Sequence, residues 1–112
     1  APLGLKILNK ENKEREIVLD EPLAEKILWA FNETIKGTSY KVICSQIKYY
    51  TKRNNKLELI QLSPQGYYNI IRNPIYMGYF LYNGELKELK GIPIIVPKNI
   101  WEQANGLIAR KV

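Results

Sequence analysis

Residues 63–84 read SPQGYYNIIRNPIYMGYFLYNG. The stretch predicts a short helix, an abrupt stop, a strand and a tight turn. Ser63 suits an N-cap, because its hydroxyl accepts a bond from a backbone N–H that the first turn leaves free. Pro64 suits the first helical position, where its missing N–H costs nothing. Tyr67, Ile70 and Ile71 then fall at i, i+3 and i+4, which makes one apolar face. Asn73-Pro74 ends the helix, since a residue before proline is pushed out of the helical region. Tyr76 to Tyr82 is rich in aromatic residues and reads as a strand. Asn83-Gly84 is a short hairpin signal.

The opposite face of that helix carries the chemistry. Gln65, Tyr68, Asn69 and Arg72 lie at i, i+3, i+4 and i+7, away from the apolar stripe. Gln and Asn can pair with adenine, and Arg with guanine or phosphate. The same four residues also suit an ordinary solvated face, and the residues alone leave both readings open.

The totals bound the rest. A chain of 112 residues fits one domain, and an apolar fraction of 46% supplies a modest core. The net charge of +6 and pI near 9.4 favour a polyanionic partner, nucleic acid or an acidic membrane surface. No apolar run approaches the ~18 residues that a membrane span needs. No signal-peptide pattern is present. Cys44 is the single cysteine, which excludes an internal disulfide and is compatible with a cytosolic compartment. There is no histidine, so neither a metal site nor a cofactor is expected. The start at Ala1 and the end without a loop lead us to expect a piece of a longer protein.

Leu3 to Leu8 and Glu16 to Leu19 predict a hairpin around a polar turn at Asn9 to Glu14. Asp20 is a candidate N-cap for a helix carrying Ala24, Ile27, Leu28, Phe31 and Ile35, with Gly37 as its C-terminal glycine. A second helix is predicted from Ser39 to Tyr50, with Tyr40, Ile43, Cys44 and Ile47 buried and Lys41, Lys48 and Tyr49 outward. Cys44 reads as a small core residue rather than a reactive thiol. Thr51 to Lys56 reads as a basic loop, with Lys52 and Arg53 placed to meet phosphate. Leu62 can staple the entry to the Ser63 helix. The Tyr76 to Tyr82 strand is expected to pair with Ile92 to Val96, leaving Glu85 to Lys90 as an exposed excursion. Pro97 starts a last helix on Ile100, Ala104, Leu107 and Ile108, flanked by Trp101 and ended by Arg110 and Lys111. The order of the second helix, a connection and the Ser63 helix resembles a helix-turn-helix with a wing, although Thr51 to Ser63 is long for a turn of ~3–4 residues.

This order of motifs resembles the recombinase domain of large serine recombinases, the integrases and transposases of phages and conjugative elements. The resemblance spans essentially the whole chain. It is most specific at Ser63, the set Tyr67, Ile70 and Ile71, then Asn73-Pro74, then Tyr76-Met77-Gly78. Ala1-Pro2-Leu3-Gly4, the Asp20-to-Gly37 helix, Ile43-Cys44 through Ile47, and Ile94-Ile95 with Trp101 support it. Leu3 and Leu5 stand where the family usually has an aromatic pair, and Leu62 where it usually has Trp.

The resemblance implies one α+β domain over 1–112. It would have a small helical core with a helix-turn-helix-like arrangement, an N-terminal hairpin and wing-like strands. It implies a DNA-binding domain of a site-specific recombinase that holds an attachment half-site of double-stranded DNA. Its parent would be cytoplasmic, bacterial or phage-encoded, and a dimer or tetramer on DNA. That parent would carry a nucleophilic serine in a separate N-terminal domain, and a zinc ribbon would follow the recombinase domain. No catalytic residue is expected in this chain, because Ser39, Ser45 and Ser63 have no evident basic activating cluster. The DNA-binding candidates are Gln65, Tyr68, Asn69, Arg72, Lys48, Lys52 and Arg53. The competing class is a protein-interaction module built on exposed Tyr and Trp.

Overall fold

Local chemistry sets the element boundaries. The computed structural model describes residues 3–9 and 15–110. β1 (Leu5–Asn9) and β2 (Arg15–Leu19) pair antiparallel, with Leu5 opposite Leu19, as the predicted N-terminal hairpin requires. Residues 10–14 of its predicted turn lie outside the described residues. α1 (Glu21–Lys36) follows, with Asp20 at the N-cap position but without a side-chain cap bond. Gly37, at φ 91°, ends α1. The N–H groups of Gly37 and Thr38 donate to the carbonyls of Thr34 (3.1 Å) and Glu33 (3.0 Å). That crossed pair of bonds satisfies two carbonyls the helix end would leave free.

The next segment departs from its sequence reading. α2 is only Tyr40–Ser45, and Lys48 to Tyr50 are not helical. Ile47 is fully buried and extends the 3–4 spacing of Ile43 and Cys44 past the helix end, which makes the helical stripe look longer than it is. The predicted basic loop is a hairpin of β3 (Lys48–Arg53) and β4 (Lys56–Gln61). The aromatic and β-branched run Tyr49-Tyr50-Thr51 prefers strand. Asn54 and Asn55 turn the chain at φ 51° and 64°, the left-handed pair that a two-residue hairpin needs. This hairpin separates α2 from α3 (Pro64–Arg72), so the tight helix-turn-helix is not formed.

The second correction follows α3. Pro74–Met77 is a single 3-10 turn rather than strand, because the Asn73 side chain accepts from the Ile75 N–H at 3.1 Å and Pro74 supplies a helical φ. Gly78, at φ 84°, ends that turn, and a side chain there would sit 3.1 Å from Ile94. Strand begins only at β5 (Tyr79–Tyr82), which pairs with β6 (Glu85–Glu88) and not with Ile92 to Val96. Asn83 and Gly84, at φ 49° and 81°, close this hairpin locally and so fix its register. Ile95 and Val96 are buried in irregular backbone, and their N–H groups donate to the Tyr76 carbonyl. α4 (Lys98–Arg110) completes the chain, with Pro97 accepting its first backbone bonds.

The architecture of the described residues is therefore α+β, with three separate two-stranded sheets around a helical centre. α1 packs chiefly on α4, and α3 on both α2 and α4. The centre joins Ile27 and Phe31 of α1 with Ile43, Ile47, Ile71, Tyr76, Val96 and Ala104. No helix among the described residues is long and apolar enough to cross a membrane.

Burial holds the Tyr76 phenol well above its ordinary value of about 10. The unfolded chain therefore loses this proton first, so the contribution is intact below about pH 10 and is lost as pH rises beyond it. Each such group costs up to ~1.4 kcal/mol per pH unit in that range. Burial raises Tyr67 as well. Tyr76→Phe removes the part-buried hydrogen bond from the Tyr76 hydroxyl to the Leu3 carbonyl and is expected to lower neutral-pH stability by roughly 1 kcal/mol. It should also flatten the alkaline decline measured by urea unfolding; an unchanged decline would assign it to other groups.

Candidate nucleic-acid interface

α3 is positioned before any partner arrives. Ser63 caps it as predicted, its hydroxyl accepting the Gly66 N–H at 3.0 Å. The Leu62 N–H donates to the Ile47 carbonyl at 2.9 Å, which ties the entry of α3 to the end of the α2 segment. Leu62 is buried, and Cys44 is a buried core residue whose thiol points at the Ser63 carbonyl, 3.6 Å away. Burial pushes the Cys44 thiol up, which disfavours the reactive thiolate.

The predicted apolar stripe is the buried one, with Tyr67, Ile70 and Ile71 all inside. Tyr67 also carries a polar tie. Thr34 of α1 donates to the Ala30 carbonyl at 2.8 Å, so the 2.6 Å contact between the two hydroxyls leaves Tyr67 as donor to Thr34. At the far end, α4 covers the last carbonyls of the helix. The Asn105 amide donates to Ile71 at 2.9 Å, and the Trp101 indole donates to Asn73 at 3.1 Å. These are groups that a helix C-terminus leaves without internal partners.

The other side of α3 is open, as expected: Gln65, Tyr68, Asn69 and Arg72 are all exposed. Gln65 and Asn69 are joined, Nε2 of Gln65 donating to Oδ1 of Asn69 at 3.0 Å. Tyr68 leans into an aromatic group, 5.5 Å from Tyr67 and 6.3 Å from Tyr40 between ring centroids. Tyr40 belongs to this surface, which the sequence reading missed by placing it in a buried stripe. Its exposure is 36%. The available signal was its position, the first residue of a helix, before a full turn can bury it.

The basic candidates fall elsewhere. Lys48 opens β3 and is exposed. Lys52 and Arg53 have their backbone at the distal end of β3, and their side chains lie outside the described residues. The structure thus brings Gln65, Tyr68, Asn69 and Arg72 together on one helix face and puts Lys48, Lys52 and Arg53 on the preceding strand. The three serines hold local backbone. Ser39 and Ser63 cap helices, and Ser45 donates to the Val42 carbonyl at 2.6 Å. Among the described residues no cluster of His, Cys, Asp and Glu could hold a metal.

A family model described as Recombinase matches residues 21–111, most of the chain. Comparisons with curated proteins and with solved structures found no match.

The Thr34–Tyr67 tie predicts an asymmetry. Thr34→Val strands the buried Tyr67 hydroxyl and should cost ~1–3 kcal/mol, whereas Tyr67→Phe leaves Thr34 bonded to Ala30 and should cost ~1 kcal/mol or less. Chemical denaturation of both single variants and the double variant measures this. Equal costs would mean that the Tyr67 hydroxyl finds another partner.

Proposed function

The chain belongs to the recombinase family, and on that premise we propose that it is the DNA-binding domain of a site-specific serine recombinase, holding an attachment half-site. Family membership implies a role in site-specific recombination with DNA as partner. The finer reading is carried by one observation. Among the described residues, α3 is the helix with an apolar stripe sequestered on one side and two amides, a phenol and a guanidinium exposed on the other, in a chain of net charge +6. A major groove admits a helix and displays base edges that Asn, Gln and Arg can read. Lys48, Lys52 and Arg53, on the strand before it, supply phosphate contacts that position the domain.

Cutting belongs to another part of the parent in this reading. Ser39 and Ser63 are engaged as helix caps, their hydroxyls accepting from the Lys41 and Gly66 N–H groups, and the chain has no histidine to serve as their general base. The chain is expected to leave supercoiled plasmid intact with or without Mg²⁺. Nicking that disappears on Ser63→Ala would reverse that assignment.

A second class has its own support. Phe80 and Tyr82 on one face of the β5–β6 hairpin, and Leu81 with Leu86 on the other, are exposed large apolar residues, and exposed apolar surface can mark a protein interface. Trp29 and Trp101 pack against the core and add little to it. Salt titration separates the classes, because DNA affinity falls steeply with salt through counterion release.

Within the DNA reading the two groups of candidates behave differently. Asn69→Ala should lose ~1–3 kcal/mol on the preferred duplex and little on scrambled DNA. Lys52→Ala should weaken both alike and lower the salt slope by about one. Equal loss on both duplexes for Asn69→Ala, with the fold intact, would put a different element in the groove.

A further inference from the structure

We propose that the β3–β4 hairpin is a second DNA contact, a ribbon whose tip enters the minor groove next to the major groove occupied by α3. The inference rests on the reading of α3 as the DNA-facing helix and adds a partner surface to it.

The hairpin projects. Its two strands contact chiefly each other, while its root is fixed by Tyr49, which packs against the core, and by the Leu62–Ile47 backbone bond. Beyond the root, most of its described side chains are exposed. Tyr50 is 69%, Leu57 67% and Leu59 53% exposed, and Asn54, Asn55 and Lys56 are exposed at and beside the turn. Tyr50 stands opposite Leu59 in the register, and Leu57 is two residues from Leu59, so the three share one uncovered face.

Charge selects the occupant. Lys48, Lys52, Arg53 and Lys56 against Glu58 give the hairpin a net +3, half of the +6 on the whole chain. The β5–β6 hairpin is also apolar and exposed, yet Glu85 and Glu88 against Lys87 give it −1. Of two uncovered hairpins, only β3–β4 has the charge that a polyanion attracts.

Reach and tip chemistry narrow the site. From Gln61 to Lys56 the ribbon extends ~17 Å at ~3.4 Å per residue. A ribbon of that length is long enough to span from a major groove to the minor groove beside it, half of the ~34 Å DNA repeat. A minor groove offers acceptors on A·T pairs and one added donor on G·C pairs. Asn, Lys and Arg are side chains that read it, and Leu is one that wedges into it. Glycines would satisfy the left-handed turn as well as Asn54 and Asn55 do, so the backbone alone does not require two amides at the tip.

The experiment uses the 112-residue chain and the duplex it enriches from a randomised library. Asn54→Gly with Asn55→Gly keeps a turn-compatible backbone and deletes both amides; melting and circular dichroism verify the fold. We expect roughly tenfold weaker binding and loss of hydroxyl-radical protection half a turn from the α3 footprint. At that position, exchanging A·T for I·C keeps the minor-groove pattern and should leave wild-type affinity unchanged, while G·C should weaken it. Lys56→Gln should lower the salt slope by about one. Unchanged affinity and footprint in the double variant, or sensitivity to I·C, would overturn the minor-groove ribbon while leaving α3 in place. A hairpin variant that alters sedimentation but not DNA binding would overturn it in favour of a protein interface. No enrichment of any duplex would overturn both readings.

Discussion

Tyr76 joins three parts of the chain that are remote in sequence. Its phenol donates to the Leu3 carbonyl at 2.7 Å, and its own carbonyl accepts from Ile95 at 3.1 Å and Val96 at 2.9 Å. Its ring lies 6.2 Å from that of Phe31 in α1. These bonds join the N-terminal segment and the 92–96 stretch to the helical centre, beside the Asp20–Gly4 backbone bond and the packing of Leu5, Ile95 and Val96 in the core. A long-range contact must first offset the entropy of closing the intervening chain. Tyr76 ties each of those segments to one buried site through its ring, its hydroxyl and its backbone carbonyl. Asn73, Pro74 and Gly78 serve this placement. They wind one 3-10 turn that swings Tyr76 inward and then release the chain into β5.

The same constraint reaches α3 from behind. The helix has its N-terminus fixed through Leu62 and Ile47, its middle through Thr34 and Tyr67, and its C-terminus through Asn105 and Trp101. Each tie comes from a different element. A helix so held loses little freedom on binding, and ordering cost is a main reason that contact area fails to become affinity. Rigidity in α3 and projection in β3–β4 therefore suit different tasks: side chains held in a fixed frame can discriminate, and a protruding basic ribbon can add electrostatic attraction.

The legible parts of the sequence were those where a local rule had no competitor. Ser63-Pro64, the Tyr67-Ile70-Ile71 stripe and Asn83-Gly84 behave as their chemistry dictates, and so the outward face of α3 was readable in advance. The illegible parts were those where packing imitates a pattern. Ile47 is buried from the first extended residues after α2, yet it keeps helical spacing with Ile43, and this concealed the start of β3. Ile92 to Val96 looks like a strand because it is apolar, but only Ile95 and Val96 of it are buried, and their N–H groups bond to one carbonyl rather than into a ladder. The local Asn83-Gly84 turn had already claimed the partner of β5. Tyr40 shows the converse, an aromatic residue at a helix start that remains on the surface beside Tyr68.

If α3 enters a groove as proposed, its two amides would not be independent readers, because they are bonded to each other. A bidentate contact to adenine needs one acceptor and one donor from the same amide. With Gln65 Nε2 directed at Asn69 Oδ1, that oxygen keeps one lone pair, and the Asn69 nitrogen keeps both of its protons. Asn69 can therefore still present a donor and an acceptor together while Gln65 holds its side chain in place. An exposed hydrogen bond of this kind is worth only about 1 kcal/mol net, so it biases the rotamer without locking it. Gln65, one turn closer to the Ser63 cap, retains its carbonyl oxygen and one N–H for a neighbouring base or for water. The pair thus places one oriented amide and one adaptable amide on adjacent turns, with Arg72 a further turn along the same face. In the proposed DNA-binding role, Gln65 would therefore act on recognition partly through Asn69, and the two contributions would be coupled rather than additive.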